Sequence, residues 1–157
     1  MRRTVVTLGI VLVGLGFSGV TSAQDLPAFC GPAGQLPAEF SGNVVADSRC
    51  FEIRMYTVNK DGEGTAGFDI DMLHQRFREE EIAIFEKHGA EFMGAFQSLE
   101  NPDTLIWMLA YRDRAHRDEV WTAFGADPDW ATLREKYQVP LSIEVYWMSA
   151  TDYSNTK

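Results

Sequence analysis

Residues 51–58, "FEIRMYTV", alternate: Phe51, Ile53, Met55 and Thr57 share one side of a two-residue period, and Glu52, Arg54, Tyr56 and Val58 share the other. Such alternation predicts a strand with one apolar face. Three further stretches read as strands: "EFMGAFQSL" (91–99), the almost wholly apolar "TLIWMLAYRD" (104–113) and "LSIEVYWMSATDY" (141–153). Between the first two lies "FDIDMLHQRFREEEIAIFEKHG". There Leu73, Phe77, Ile84 and Phe85 recur at helical spacing, Asp69 or Asp71 suits the start, and Gly89 suits the end. A second helical stretch, 115–138, is broken at Gly125 and restarts at Asp127–Pro128, a helix cap followed by proline at the first helical position. The order β-α-β-β-α-β predicts an α+β, ferredoxin-like domain.

Two helices cover only one face of such a sheet. The strands are apolar on both sides: Leu105, Trp107 and Leu109 oppose Ile106, Met108 and Ala110, and Val145 and Trp147 oppose Tyr146 and Met148. An uncovered apolar face predicts a second copy, so a homodimer with sheet packed on sheet, a dimeric α/β barrel, is expected.

Composition narrows the setting. The chain has 157 residues, one domain's worth, with 45% hydrophobic and 24% charged residues. Residues 1–23 have a basic start (Arg2, Arg3), an apolar run from Val5 to Val20 and small residues before Gln24, which together predict a cleaved signal peptide rather than a lasting membrane span. Export to the periplasm or the extracellular space follows. Removing that segment removes two arginines and no acid, and takes the formal charge from −9 to −11. That balance disfavours nucleic acid and anionic membrane as partners. Residues 24–49 are rich in Pro and Gly and read as an irregular arm before the domain at 50–153, with 154–157 as a tail. Cys30 and Cys50, an even pair in an exported chain, are expected to form a disulfide tying arm to first strand, worth about 3 kcal/mol in loop-closure entropy.

These motifs resemble those of the NIPSNAP family. "FEIRMYTV" is similar to its opening strand, "FEKHGAEFMGAF" to its helix end with His-Gly before a strand, and "TLIWMLAYRDRAHRDEVWTAFGADPDW" to its long signature ending in Asp-Pro-x-Trp. The resemblance covers about residues 51–153. It implies the dimeric α/β-barrel fold, and it implies no single activity. Relatives by fold include cofactor-free monooxygenases, haem enzymes and isomerase-like proteins.

For the chemistry, parity of the first strand places Phe51, Ile53 and Met55 toward the helices and Glu52, Arg54 and Tyr56 toward the barrel interior. Glu52 and Arg54 are two residues apart on one face and close enough to pair. One reading is a polar pocket for a small, partly apolar ligand. Arg54 would bind an anionic or carbonyl group, Tyr56 would donate a hydrogen bond, and Glu52 would orient Arg54 or act as a base. Glu144, Trp107 and Tyr111 complete that pocket; His88 either answers the negative end of its helix or, as the family resemblance implies, stands at the pocket mouth. The rival reading is a structural ion network in the dimer core. A cofactor-independent monooxygenase or an isomerase-like enzyme is the catalytic form of the first reading. No cofactor is expected. No metal is expected either: His74 and His88 are 14 residues apart, about 21 Å along a helix, and no third ligand joins His116. Trp121, Trp130 and "REEE" (78–81) read as core, anchor and solvated helix face.

Overall fold

A computed structural model describes residues 29–61 and 67–157; the signal-peptide expectation falls on residues outside these. Four strands, β1 (Cys50–Val58), β2 (Glu91–Gln97), β3 (Thr104–Tyr111) and β4 (Leu141–Ser149), form one sheet in the order β2-β3-β1-β4. Every pairing is antiparallel, as the ferredoxin-like pattern requires.

The first helical segment comprises α2 (Ile70–Arg76), a π-turn (Phe77–Glu81) and α3 (Ile82–Lys87). Asp69 caps it, its side chain accepting from the Met72 N–H at 2.9 Å. His88 ends it and Gly89 follows at φ +97°, a conformation that suits glycine at this position past a helix. The π-turn adds one residue to the helical repeat, and Phe77 and Glu81, four residues apart, share the inner face, where each is buried. Glu81, expected on a solvated face, is therefore part of the core. On the second crossover, α4 (Arg114–Ala126) passes through Gly125 without a break. The turn comes at Asp127, which caps α5 (Pro128–Lys136) by accepting from the Asp129 N–H.

Before the sheet, the arm carries a 3-10 turn at Ala33–Gln35 and one helical turn, α1 (Ala38–Ser41). It adds to the β4 end through a bridge between Val44 and Thr151 and through Ser149 Oγ, which accepts from the Gly31 N–H at 2.8 Å. The expected disulfide joins Cys30 to Cys50, and both residues are buried.

The helices α2, α3 and α4 lie against one sheet face, and α5 packs on α4 and on the π-turn. The register places Glu52, Arg54 and Tyr56 of β1 beside Leu109, Trp107 and Leu105 of β3, on that face. Phe51, Ile53 and Met55, paired with Ala110, Met108 and Ile106, share the opposite face. This reverses the expected orientation. Parity gives two sets but not which set the helices cover. Here the polar set is covered because α4 brings its own charged partners.

Candidate functional site

Glu52 is fully buried, so its carboxylate must be satisfied by protein groups. The Arg117 guanidinium, from α4, donates to both oxygens, Nε to Oε2 at 2.9 Å and Nη2 to Oε1 at 3.1 Å. This is the two-pronged geometry that makes Arg–carboxylate pairs strong. Arg54 Nη1 donates to Oε1 as a close ion pair. Tyr111 Oη donates to Oε2 at 3.2 Å and Trp121 Nε1 reaches the same oxygen at 3.1 Å. Two strands and one helix thus converge on one carboxylate. Burial, with the Glu52 charge alongside, pushes the Tyr111 phenol well above its ordinary range, so it stays a donor.

Arg54 links this knot to the rest of the layer. Its Nε donates to Tyr56 Oη at 3.1 Å, and its guanidinium carbon lies 4.4 Å from the Trp121 ring centre. Arg117 in turn stands 4.7 Å from the Trp121 ring and 4.5 Å from the Trp147 ring. Burial raises the Tyr56 phenol to about 12, against the opposing pull of Arg54. Beyond Tyr56, Glu81 and Arg76 make a second buried pair, Nε to Oε2 at 2.7 Å. Burial raises the Glu81 carboxyl, more than Arg76 and Arg54 lower it.

The structure therefore brings together Glu52, Arg54, Tyr56, Trp107 and Tyr111, and leaves two expected members out. Glu144 pairs in register with Met55, so it stands exposed on the other face, with the sheet between it and Glu52. His88 Nε2 sits 2.6 Å from Asp127 Oδ2, where Lys87 also binds, so it fastens α3 to the cap of α5. Those two contacts hold the Asp127 carboxyl down at about 2. Sequence reasoning missed Arg117, Trp121, Arg76 and Glu81 as members. A signal was present: Arg117, Val120, Trp121 and Phe124 fall on one helical stripe, and an arginine inside an apolar stripe demands a buried acid.

A surface cleft of about 450 Å³ lies elsewhere, at the end of β1, lined by Asn59, Lys60, Asn101, Asp103 and their neighbours. Among the described residues no His, Cys, Asp or Glu group is arranged to hold a metal ion, and no helix is long and apolar enough to cross a membrane.

A four-stranded antiparallel sheet with helices on one face defines an α+β protein of the ferredoxin-like, dimeric α/β-barrel type. Residues 51–155 match the NIPSNAP family, and the chain belongs to it. It is similar to a NIPSNAP family protein of unknown function from Agrobacterium tumefaciens, 21% identical over 73% of this chain and 99% of that one, with a TM-score of 0.62. A NIPSNAP-like domain protein from Burkholderia xenovorans is 21% identical over 69% of this chain and 90% of its own, with a TM-score of 0.57. SnoaB from Streptomyces nogalater, a cofactor-independent oxygenase, shares the fold at 10% identity over 69% and 98%, with a TM-score of 0.50. None of the curated proteins matches the chain.

Proposed function

We propose that the chain is an exported homodimer whose protomers each bind a small, partly apolar molecule in the layer between sheet and helices. The observation that carries the ligand reading is a surplus of positive charge in that layer. Three guanidinium groups, Arg54, Arg76 and Arg117, stand against two buried carboxylates, Glu52 and Glu81. Asp118 also reaches Arg117, and it is shared with Arg114 at the surface. An anionic group beside Arg54 balances that surplus, with Tyr56 and Trp107 shaping the apolar remainder.

The dimer reading rests on the other face. Phe51, Ile53, Met55, Phe96, Ile106, Met108 and Tyr146 share it, and Phe96 and Tyr146 are each more than half exposed. A second copy covers such a face in a closed, two-fold contact. The disulfide and the sequence of residues 1–23 support export. The fold likeness to SnoaB favours one further reading, turnover of the bound molecule with dioxygen and no cofactor.

Native mass spectrometry of the protein purified from the exported fraction tests the proposal. The expected mass is a dimer carrying a small molecule, and Arg54→Gln is expected to lose that molecule. Glu52 keeps Arg117, Tyr111 and Trp121 in that variant, so the fold stands. A bare monomer overturns both parts. Dioxygen uptake by the loaded dimer separates turnover from binding.

A further inference from the structure

The helical layer does not reach across the whole sheet. Helices α2 and α4 pack on β3, and α3 packs on β2. The strand order β2-β3-β1-β4 then leaves β4 at the margin of the layer. On the helix side β4 presents Leu141, Ile143, Val145 and Trp147, paired in register with Val58, Tyr56, Arg54 and Glu52. Leu141 and Trp147, at the two ends, pack against the core. Between them Ile143 is 40% exposed and Val145 is half-buried. Two aliphatic side chains on the helix side of the sheet thus keep a surface toward solvent.

Arg54 is the cation beside them. Residues opposite each other on antiparallel strands stand about 5 Å apart at Cβ, so Val145 flanks the Arg54 stem. Arg54 directs Nη1 to Glu52 and Nε to Tyr56. Its Nη2 makes no hydrogen bond among the described residues and is not a buried atom. The Arg54 side chain keeps 11% of its surface exposed, whereas Glu52 keeps none. Nη2 is therefore a charged donor that opens to solvent at the edge of a buried ion network. The nearby indole rings are already taken: guanidinium groups face Trp121 and Trp147 at 4.4–4.7 Å. The apolar surface on offer is the aliphatic strip.

The two features fit one chemistry. A carboxylate takes guanidinium N–H donors in charge-assisted bonds, and an apolar chain gains by leaving water on an aliphatic strip. The surplus of guanidinium groups over Glu52 and Glu81 sets the sign of the ligand. We infer that the ligand is a small aliphatic carboxylic acid whose chain lies on the helix side of β4. Its carboxylate accepts from Arg54 Nη2, and its chain runs past Val145 and Ile143 toward Leu141, about 13 Å at the rise of a strand. The surface concerned already faces solvent, so no side chain has to give way. The inference rests on the ligand reading above and adds the class and position of the ligand.

Octanoate is the probe, titrated into the exported protein at neutral pH and followed by proton–carbon correlation of the methyl groups. The Ile143 and Val145 signals are identified by their loss in Ile143→Val and Val145→Ala. The expected result is a saturable shift of both. Arg54→Gln is expected to weaken octanoate about tenfold, the loss of one charged hydrogen bond. Val145→Asp sets a carboxylate where the probe's own would lie, and is expected to abolish binding. Acetate has the charge without the chain, and octylamine the chain with the opposite charge; both are expected to leave the two signals in place. Octanoate binding with stationary Ile143 and Val145 signals overturns the inference. Equal shifts with octylamine, or equal octanoate affinity in Arg54→Gln, overturn it too. Signals that move with protein concentration alone place a second copy on the strip and overturn it as well. If octanoate does not bind at millimolar concentration, the inference falls, while a copurified molecule that Arg54→Gln loses keeps the broader ligand reading standing. A protein that binds no octanoate and copurifies with nothing removes both.

Discussion

The two faces of the sheet contradict the usual expectation about what is buried. The face under the helices holds Glu52, Arg54, Tyr56 and Tyr111, while the open face holds methionines, isoleucines and aromatic rings. A polar set is tolerable inside because every member of the Glu52 knot finds a partner from β1, β3 or α4. The apolar set is tolerable outside only if something covers it. Charge pairing thus organises one face and shape the other. Met55, Met93, Met108 and Met148 all belong to the second, where flexible thioethers adapt to a facing surface. The arm closes one end of that open face, where Val45 packs against Phe51, Ala110 and Ala150.

The contrast breaks most sharply at Glu52. Glu52→Gln keeps the shape but removes the charge, so Arg54 and Arg117 are left buried without their carboxylate. Removing one partner of a buried ion network costs about 3–5 kcal/mol. Urea unfolding is expected to show that loss as a lower midpoint with an unchanged slope. The matched change across the sheet, Glu144→Gln, is expected to stay within about 0.5 kcal/mol, as exposed sites do. Equal effects at the two glutamates would erase the difference between the faces.

A smaller effect tests the open face. Met108 lies between Ile53 and Gly94 at its centre and is half-buried in the single chain. Met108→Glu leaves a monomer folded but puts a charge in the middle of a sheet-on-sheet contact. The dimer dissociation constant is expected to rise about a hundredfold, roughly 2.7 kcal/mol. Sedimentation at two concentrations reads it. Leu99→Glu, at a position 95% exposed in the turn after β2, is the control and is expected to change nothing.

How much of this was legible in the sequence follows from what a period can encode. Alternation in "FEIRMYTV" located β1, and the spacing of Glu52 and Arg54 was enough to predict their pairing. Asp127–Pro128 announced a helix start through local chemistry alone, and Cys30 with Cys50 announced a disulfide through their even number. A two-residue period is symmetric between its faces, however, so it could not say which face the helices cover. The side chains that decide the matter, Arg117 and Trp121, are more than sixty residues from Glu52 along the chain. Glu81 was misread because "REEE" looks uniformly polar. Its position, four residues after Phe77 and four before Phe85, puts it on the apolar stripe, while Glu79 and Glu80 stay outside.

The smallest expected effect measures how dry the helix face is. Burial raises the Tyr56 phenol from 10 to about 12, and Arg54, the largest opposing influence, only moderates it. The folded state therefore favours the neutral phenol. That contribution is fully present below pH 10, where the unfolded chain also keeps its proton, and is lost as pH rises from 10 through about 12. Wild type is expected to lose about 2 kcal/mol more than Tyr56→Phe between pH 9 and pH 12, read as diverging urea midpoints. Tyr111, whose phenol is raised as well, titrates in both proteins and cancels from the difference. Parallel alkaline limbs would mean that water reaches Tyr56 in solution. The polar face would then be a wet groove, and Arg54 would be open to any anion rather than selective for a ligand that brings its own apolar surface.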